Sequence, residues 1–136
     1  GNPSSVHAEG RVARQIVERA RAQVAALAGA DPGQVTFTSG ATEANAMALS
    51  PGWSGRPGRP SLERLLVSAV EHPSVLGGGR FGPDRTHAIT VDADGVIAGD
   101  GLRALLRGVP AMVSVMLANN ETGVVQPIRE IAEVVH

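Results

Sequence analysis

The 136-residue sequence contains no cysteine, no lysine and no tyrosine, and only one tryptophan and two phenylalanines. Each absence removes a class of chemistry. Without cysteine there can be no disulfide, thiolate metal site or cysteine nucleophile within these residues. All twelve basic residues are arginine, so no side-chain amine exists to form a Schiff base. Arginine-only usage is itself the kind of bias that a whole genome imposes. The shortage of aromatics leaves Ala, Val, Leu and Ile to fill the core, which suits helices packed closely on a sheet of branched residues. No apolar run approaches the roughly 20 residues needed to cross a bilayer, and the first residues lack a charged, then apolar, leader. The chain therefore reads as cytoplasmic, with no membrane partner. Formal net charge is −1 and the arginines are dispersed, so no patch could neutralise several phosphates, and no nucleic-acid partner is expected.

What is present is a 43% hydrophobic content, enough for one globular unit or a piece of a larger one. Residues 8–28 place Val12, Ile16, Val24 and Leu27 near helical spacing before Gly29, which predicts an amphipathic helix. Val35 to Thr38 reads as a short buried strand, and Ser39 to Ser50 as a turn running into a helix. A Pro- and Gly-rich loop is expected over 51–61. Strands are predicted at Leu65 to Ala69, at Ala88 to Val91 and at Ala111 to Leu117, the last buried on both faces. Helices are predicted from Pro73 to Leu76, from Leu102 to Leu106 and from Pro127 to Val135. Strands separated by helices imply an α/β fold with a mainly parallel sheet flanked by helices. The start at Gly1 to Ser5 reads as mid-loop and the last helix reaches His136 uncapped, so both ends are expected to be truncated.

In open α/β sheets ligands sit beyond the carboxyl ends of the strands, which directs attention to three loops. In Thr38 to Asn45, Gly40 allows close backbone approach, and Ala41 and Thr42 offer amides and a hydroxyl at a helix start. That suits an anion cradle, although taken alone the turn is a weak signal, since a plain helix cap looks the same. In Val70 to Pro73, His72 either stacks on a planar ligand and moves a proton or faces solvent as a structural residue. In Asn119 to Gly123, the two asparagines cap a turn or donate to a ligand oxygen. One fold would bring all three loops to the same edge of the same sheet.

The ordered set GNPSS, TSGATEAN (38–45), EHPSV (71–75) and NNETGVVQPI (119–128) resembles the fold-type I pyridoxal-phosphate enzymes, specifically the class V aminotransferase group that includes the cysteine desulfurases. The resemblance covers essentially the whole chain and implies that residues 1–136 are part of the large domain of such an enzyme. By similarity, Ala41 and Thr42 hold the phosphate of pyridoxal 5'-phosphate. His72 stacks on its pyridine ring and assists proton transfer at the substrate amino group, and Asn120 hydrogen-bonds its phenolic oxygen. The resemblance further implies L-cysteine as substrate, a homodimer, and a sulfur-acceptor protein served in iron–sulfur cluster assembly. It places the acidic partner of the ring nitrogen, the Schiff-base lysine and the sulfur-accepting cysteine beyond His136. A selenocysteine lyase, an aminotransferase or a non-catalytic α/β module are the alternatives. Nucleotide binding is disfavoured, because neither a phosphate-loop lysine motif nor a G-x-G-x-x-G fingerprint is present. The glycine-rich stretch 77–83 departs from the family pattern and predicts an early end to the helix before it.

Overall fold

The computed structural model describes residues 1–53 and 61–136. Of the predicted loop at 51–61, Pro51 to Trp53 form a turn, and most of the remainder lies outside the described residues. The chain forms two units, residues 1–38 and 39–136.

The first unit is built on helix α1, Ala8–Ala28, with the predicted bounds. Its N-cap is His7, whose ring nitrogen accepts the Gly10 N–H at 3.2 Å. It ends at Gly29, which adopts the left-handed conformation (φ 65°) and returns its N–H to Ala25 and Ala26. The strand predicted at Val35 to Thr38 does not form: those residues follow a short 3-10 turn, Pro32–Gln34, as irregular chain. Their backbone and side chains are engaged locally instead. The Arg21 guanidinium donates to the Val35 carbonyl at 2.5 Å and lies 5.1 Å from the centroid of the Phe37 ring. A four-residue branched run has too little periodicity to distinguish these outcomes.

The second unit holds a parallel three-stranded sheet, β1 (Arg64–Ser68), β2 (Thr86–Ile89) and β3 (Ala111–Ser114), in the order β2-β1-β3. Helices α2 (Ala41–Ala48), α3 (Pro73–Leu76), α4 (Gly99–Leu105) and α5 (Ile128–Val135) accompany it. Because side chains alternate along a strand, central β1 serves two cores. Leu65 and Val67 join Leu49, Val75 and Phe81, whereas Leu66 joins Ile89, Ile97, Leu102 and Ile131. The sheet is covered on both faces, as the alternation of strands and helices implied.

Strand β3 is shorter and less buried than predicted, pairing only to Ser114 and half-buried throughout. Beyond Ser114 the backbone is claimed by other partners. Met116 N–H donates to the Glu71 carboxylate, and the Leu117 carbonyl accepts Gln126 N–H at 2.8 Å. The strand predicted at Ala88 to Val91 instead spans Thr86–Ile89, with Val91 bridging Ile97.

The early end of α3 follows from Gly78 and Gly79, both at positive φ (76° and 58°). A Cβ on Gly78 would meet Thr86 Oγ1 at 2.5 Å, and one on Gly79 would meet Leu49 Cβ and O at 2.5 Å. Among the described residues, no helix is long and apolar enough to cross a membrane.

Candidate functional site

The carboxyl ends of β1 and β3 are joined by a buried acid. Glu71, 8% exposed, accepts the Met116 N–H just past β3. Burial raises its carboxyl pKa, and the Met116 bond opposes that rise only in part. A carboxyl with a raised folded-state pKa supports the fold in its protonated form, so its contribution is fully present below the unfolded value and is lost as pH rises through the folded one. Glu71→Gln keeps the acceptor oxygen and cannot ionise. Its melting temperature should therefore gain on the wild type as pH rises above the ordinary glutamate range of about 4. Thermal melts at rising pH are the check, and a constant difference would contradict the assignment.

The turn after β3 is tied to the same place. Asn119 donates through Nδ2 to the Val70 carbonyl at 2.8 Å, while its Oδ1 accepts the N–H groups of Glu121 (2.8 Å) and Thr122 (2.9 Å). Gly123, at φ 75°, closes the turn by donating to the Asn119 carbonyl at 2.9 Å. Capping is thus the work of Asn119. Asn120 stands exposed beside it and, among the described residues, makes no side-chain hydrogen bond. Further along, buried Gln126 bridges Gly95 O (2.7 Å) and Ile97 N (3.0 Å), anchoring the return of this loop.

His72 is exposed at the N-cap of α3. Its Nδ1 accepts the Ser74 N–H at 3.1 Å and lies 2.8 Å from Ser74 Oγ. Ser74 Oγ in turn accepts Asn45 Nδ2 of α2 at 2.8 Å. The TSGATEAN loop is thereby linked to the EHPSV loop, although it follows no sheet strand, because the predicted strand before it is absent. Ala41 and Thr42 are the exposed first residues of α2. Amides in a first turn have no partner inside their own helix, so they are available to an anion. A Cβ on Gly40, the N-cap, would meet nothing within 4 Å, so the approach is open. Glu43 is turned to local use. Its carboxylate accepts both the hydroxyl and the N–H of Ser39 at 2.7 Å, and these two bonds lower its pKa.

Of the residues singled out in the sequence, the structure links the loop of Ala41 and Thr42 to His72, and the turn of Asn120 to the backbone beside His72. Asn45, Ser74, Glu71 and the tie made by Asn119 were not anticipated. A signal existed for Asn45, since asparagine inside a helix of small residues is a poor helix former without a specific partner. The donor set fits pyridoxal phosphate in kind: helix-start amides and a hydroxyl for a phosphate, an imidazole for a planar ring, and an amide for a phenolic oxygen.

Comparison with known proteins bears on the family. The class-V aminotransferase family matches residues 1–136. The cysteine desulfurase of Frankia sp. (strain EuIK1) is 46% identical over 143 residues, covering 97% of this chain and 34% of that protein. A NifS-like protein from Rickettsia africae superposes with a TM-score of 0.79 at 32% identity, covering 97% of this chain and 36% of that one. SspA, solved in complex with cysteine, gives 0.77 at 30% identity over 98% of this chain and 39% of its own. The chain spans about a third of the length of the curated relatives it matches. With the family motifs in order, a parallel sheet that superposes on NifS-like folds and a family match from the first residue to the last, the chain belongs to the class-V aminotransferases, a pyridoxal-phosphate-dependent family.

Proposed function

We propose that residues 1–136 form part of the large domain of a cysteine desulfurase and supply one side of its cofactor cradle. The observation that carries this reading is the pair of side-chain ties, Asn45 to Ser74 to His72 and Asn119 to Val70, which gather three loops otherwise far apart in sequence. In this cradle Ala41 and Thr42 hold the cofactor phosphate through helix-start amides and the Thr42 hydroxyl. His72 lies over the pyridine ring and meets the substrate amino group, and Asn120 donates to the phenolic oxygen. Bound there, pyridoxal phosphate supplies the electron sink that lets bonds to the substrate Cα and Cβ break. The Schiff-base lysine and the sulfur-accepting thiol are absent from these 136 residues, so in this reading the remainder of the enzyme provides them.

The net reaction converts L-cysteine and an enzyme thiol into L-alanine and an enzyme persulfide. The substrate C–S bond breaks, an S–S bond forms, and the hydrogens of the two thiols end on the alanine methyl group and the persulfide. Supporting this substrate are the desulfurase relatives and the structural neighbour solved with cysteine. The same reading carries a cytoplasmic homodimer that passes sulfur to an acceptor protein for iron–sulfur cluster assembly. Supplied with pyridoxal phosphate and L-cysteine, the full-length protein should release alanine and accumulate an equal amount of persulfide, measured by amino-acid analysis and by alkylation with mass spectrometry. Alanine from selenocysteine alone, or a keto acid in place of alanine, would overturn the desulfurase assignment.

A further inference from the structure

We propose that Asn45 and Ser74 are positioning residues that hold the His72 ring in its Nε2–H tautomer, so that the nitrogen left for a ligand is a hydrogen-bond donor. The polarity of the network follows from its one fixed member. The backbone N–H of Ser74 can only donate, and its partner at 3.1 Å is His72 Nδ1. That nitrogen therefore carries a lone pair, and the proton of the neutral ring sits on Nε2. With Nδ1 an acceptor, the 2.8 Å approach of Ser74 Oγ is a hydrogen bond only when the hydroxyl donates. The hydroxyl oxygen is then left to accept, and Asn45 Nδ2 supplies its donor from 2.8 Å. A flipped Asn45 amide would set a carbonyl oxygen against Ser74 and draw the hydroxyl proton away from the ring.

The donors thus run one way, from Asn45 to Ser74 to His72. The Ser74 N–H alone already fulfils the helix cap, so the hydroxyl and the asparagine exceed what capping requires. Asn45 also carries a helix-propensity penalty inside α2, which a specific role offsets. Two donors converge on Nδ1, while Nε2 has no partner among the described residues. The consequence for chemistry rests on the placement of His72 proposed above: it meets the substrate as an N–H, and takes up a proton only when Ser74 releases Nδ1.

Long-range 1H–15N spectra of the intact protein, labelled with 15N at histidine and free of cofactor, read the tautomer from the shifts of both ring nitrogens. The His72 signal is identified by its loss in His72→Gln. The wild type should show His72 as Nε2–H. Ser74→Ala and Asn45→Asp should each lower the ratio of Nε2–H to Nδ1–H by about fivefold, the equilibrium effect of one ordinary hydrogen bond. Ser74→Thr, which keeps the hydroxyl, should restore it. A wild-type spectrum with His72 as Nδ1–H, or a ratio that neither variant moves, would overturn the proposal. The wild-type spectrum decides the tautomer even where a variant fails to fold. With no cofactor present, the result is also separate from the desulfurase reading, which fails instead if the protein does not bind pyridoxal phosphate.

Discussion

Replacing His72 with alanine in the full-length enzyme should lower turnover by about 100-fold, the scale on which a positioned proton-transfer group or a preorganised donor acts. The melting temperature should change little. His72 is exposed, and its removal takes away the Nδ1 cap of a four-residue helix while leaving the buried clusters around β1 intact. Steady-state kinetics beside thermal melts separate the two possibilities. Unchanged turnover with a lowered melting temperature would return His72 to a structural role.

Gly79→Ala should destabilise the protein by about 3 kcal/mol, combining a left-handed backbone with overpacking of a filled space. The added Cβ would lie 2.5 Å from both Leu49 Cβ and Leu49 O, atoms that cannot simply swing aside. The damage should reach the site, because Leu49 is the C-cap of α2 and its carbonyl accepts the Arg80 N–H at 2.8 Å. This is where the exit of α3 is pinned to the exit of α2. Pushing the two apart strains the Asn45–Ser74 bond that joins the same two helices. Denaturant unfolding should therefore show a lower midpoint with an unchanged slope, accompanied by weaker cofactor retention. A variant as stable as the wild type would mean that the close approach at Gly79 is relieved at no cost.

The elements with strong periodic or punctuation signals were legible in the sequence. Helix α1 ends where Gly29 stops it, α3 begins at Pro73 and ends at the glycine run, and β1 is a branched apolar stretch buried on both sides. The failures share a cause. Val35 to Thr38 has the composition of a strand, but Arg21, fourteen residues earlier, takes the Val35 carbonyl and covers Phe37, a contact that no local pattern reveals. The apolar run after Ser114 looks like more strand, yet Glu71 captures the Met116 N–H from 45 residues away. In the site, Ala41, Thr42, His72 and Asn120 were suggested by residue type at loop positions and by resemblance. The residues that tie those loops together, Asn45, Ser74 and Asn119, act through long-range side-chain bonds that sequence spacing does not encode.

The shared cradle is tested most directly by a structure of the full-length protein with pyridoxal phosphate bound. The expected result has phosphate oxygens within hydrogen-bonding distance of the Ala41 and Thr42 N–H groups, the His72 imidazole stacked on the pyridine ring, and the Asn120 amide on the phenolic oxygen. A cofactor held elsewhere, with these three loops bare, would contradict it.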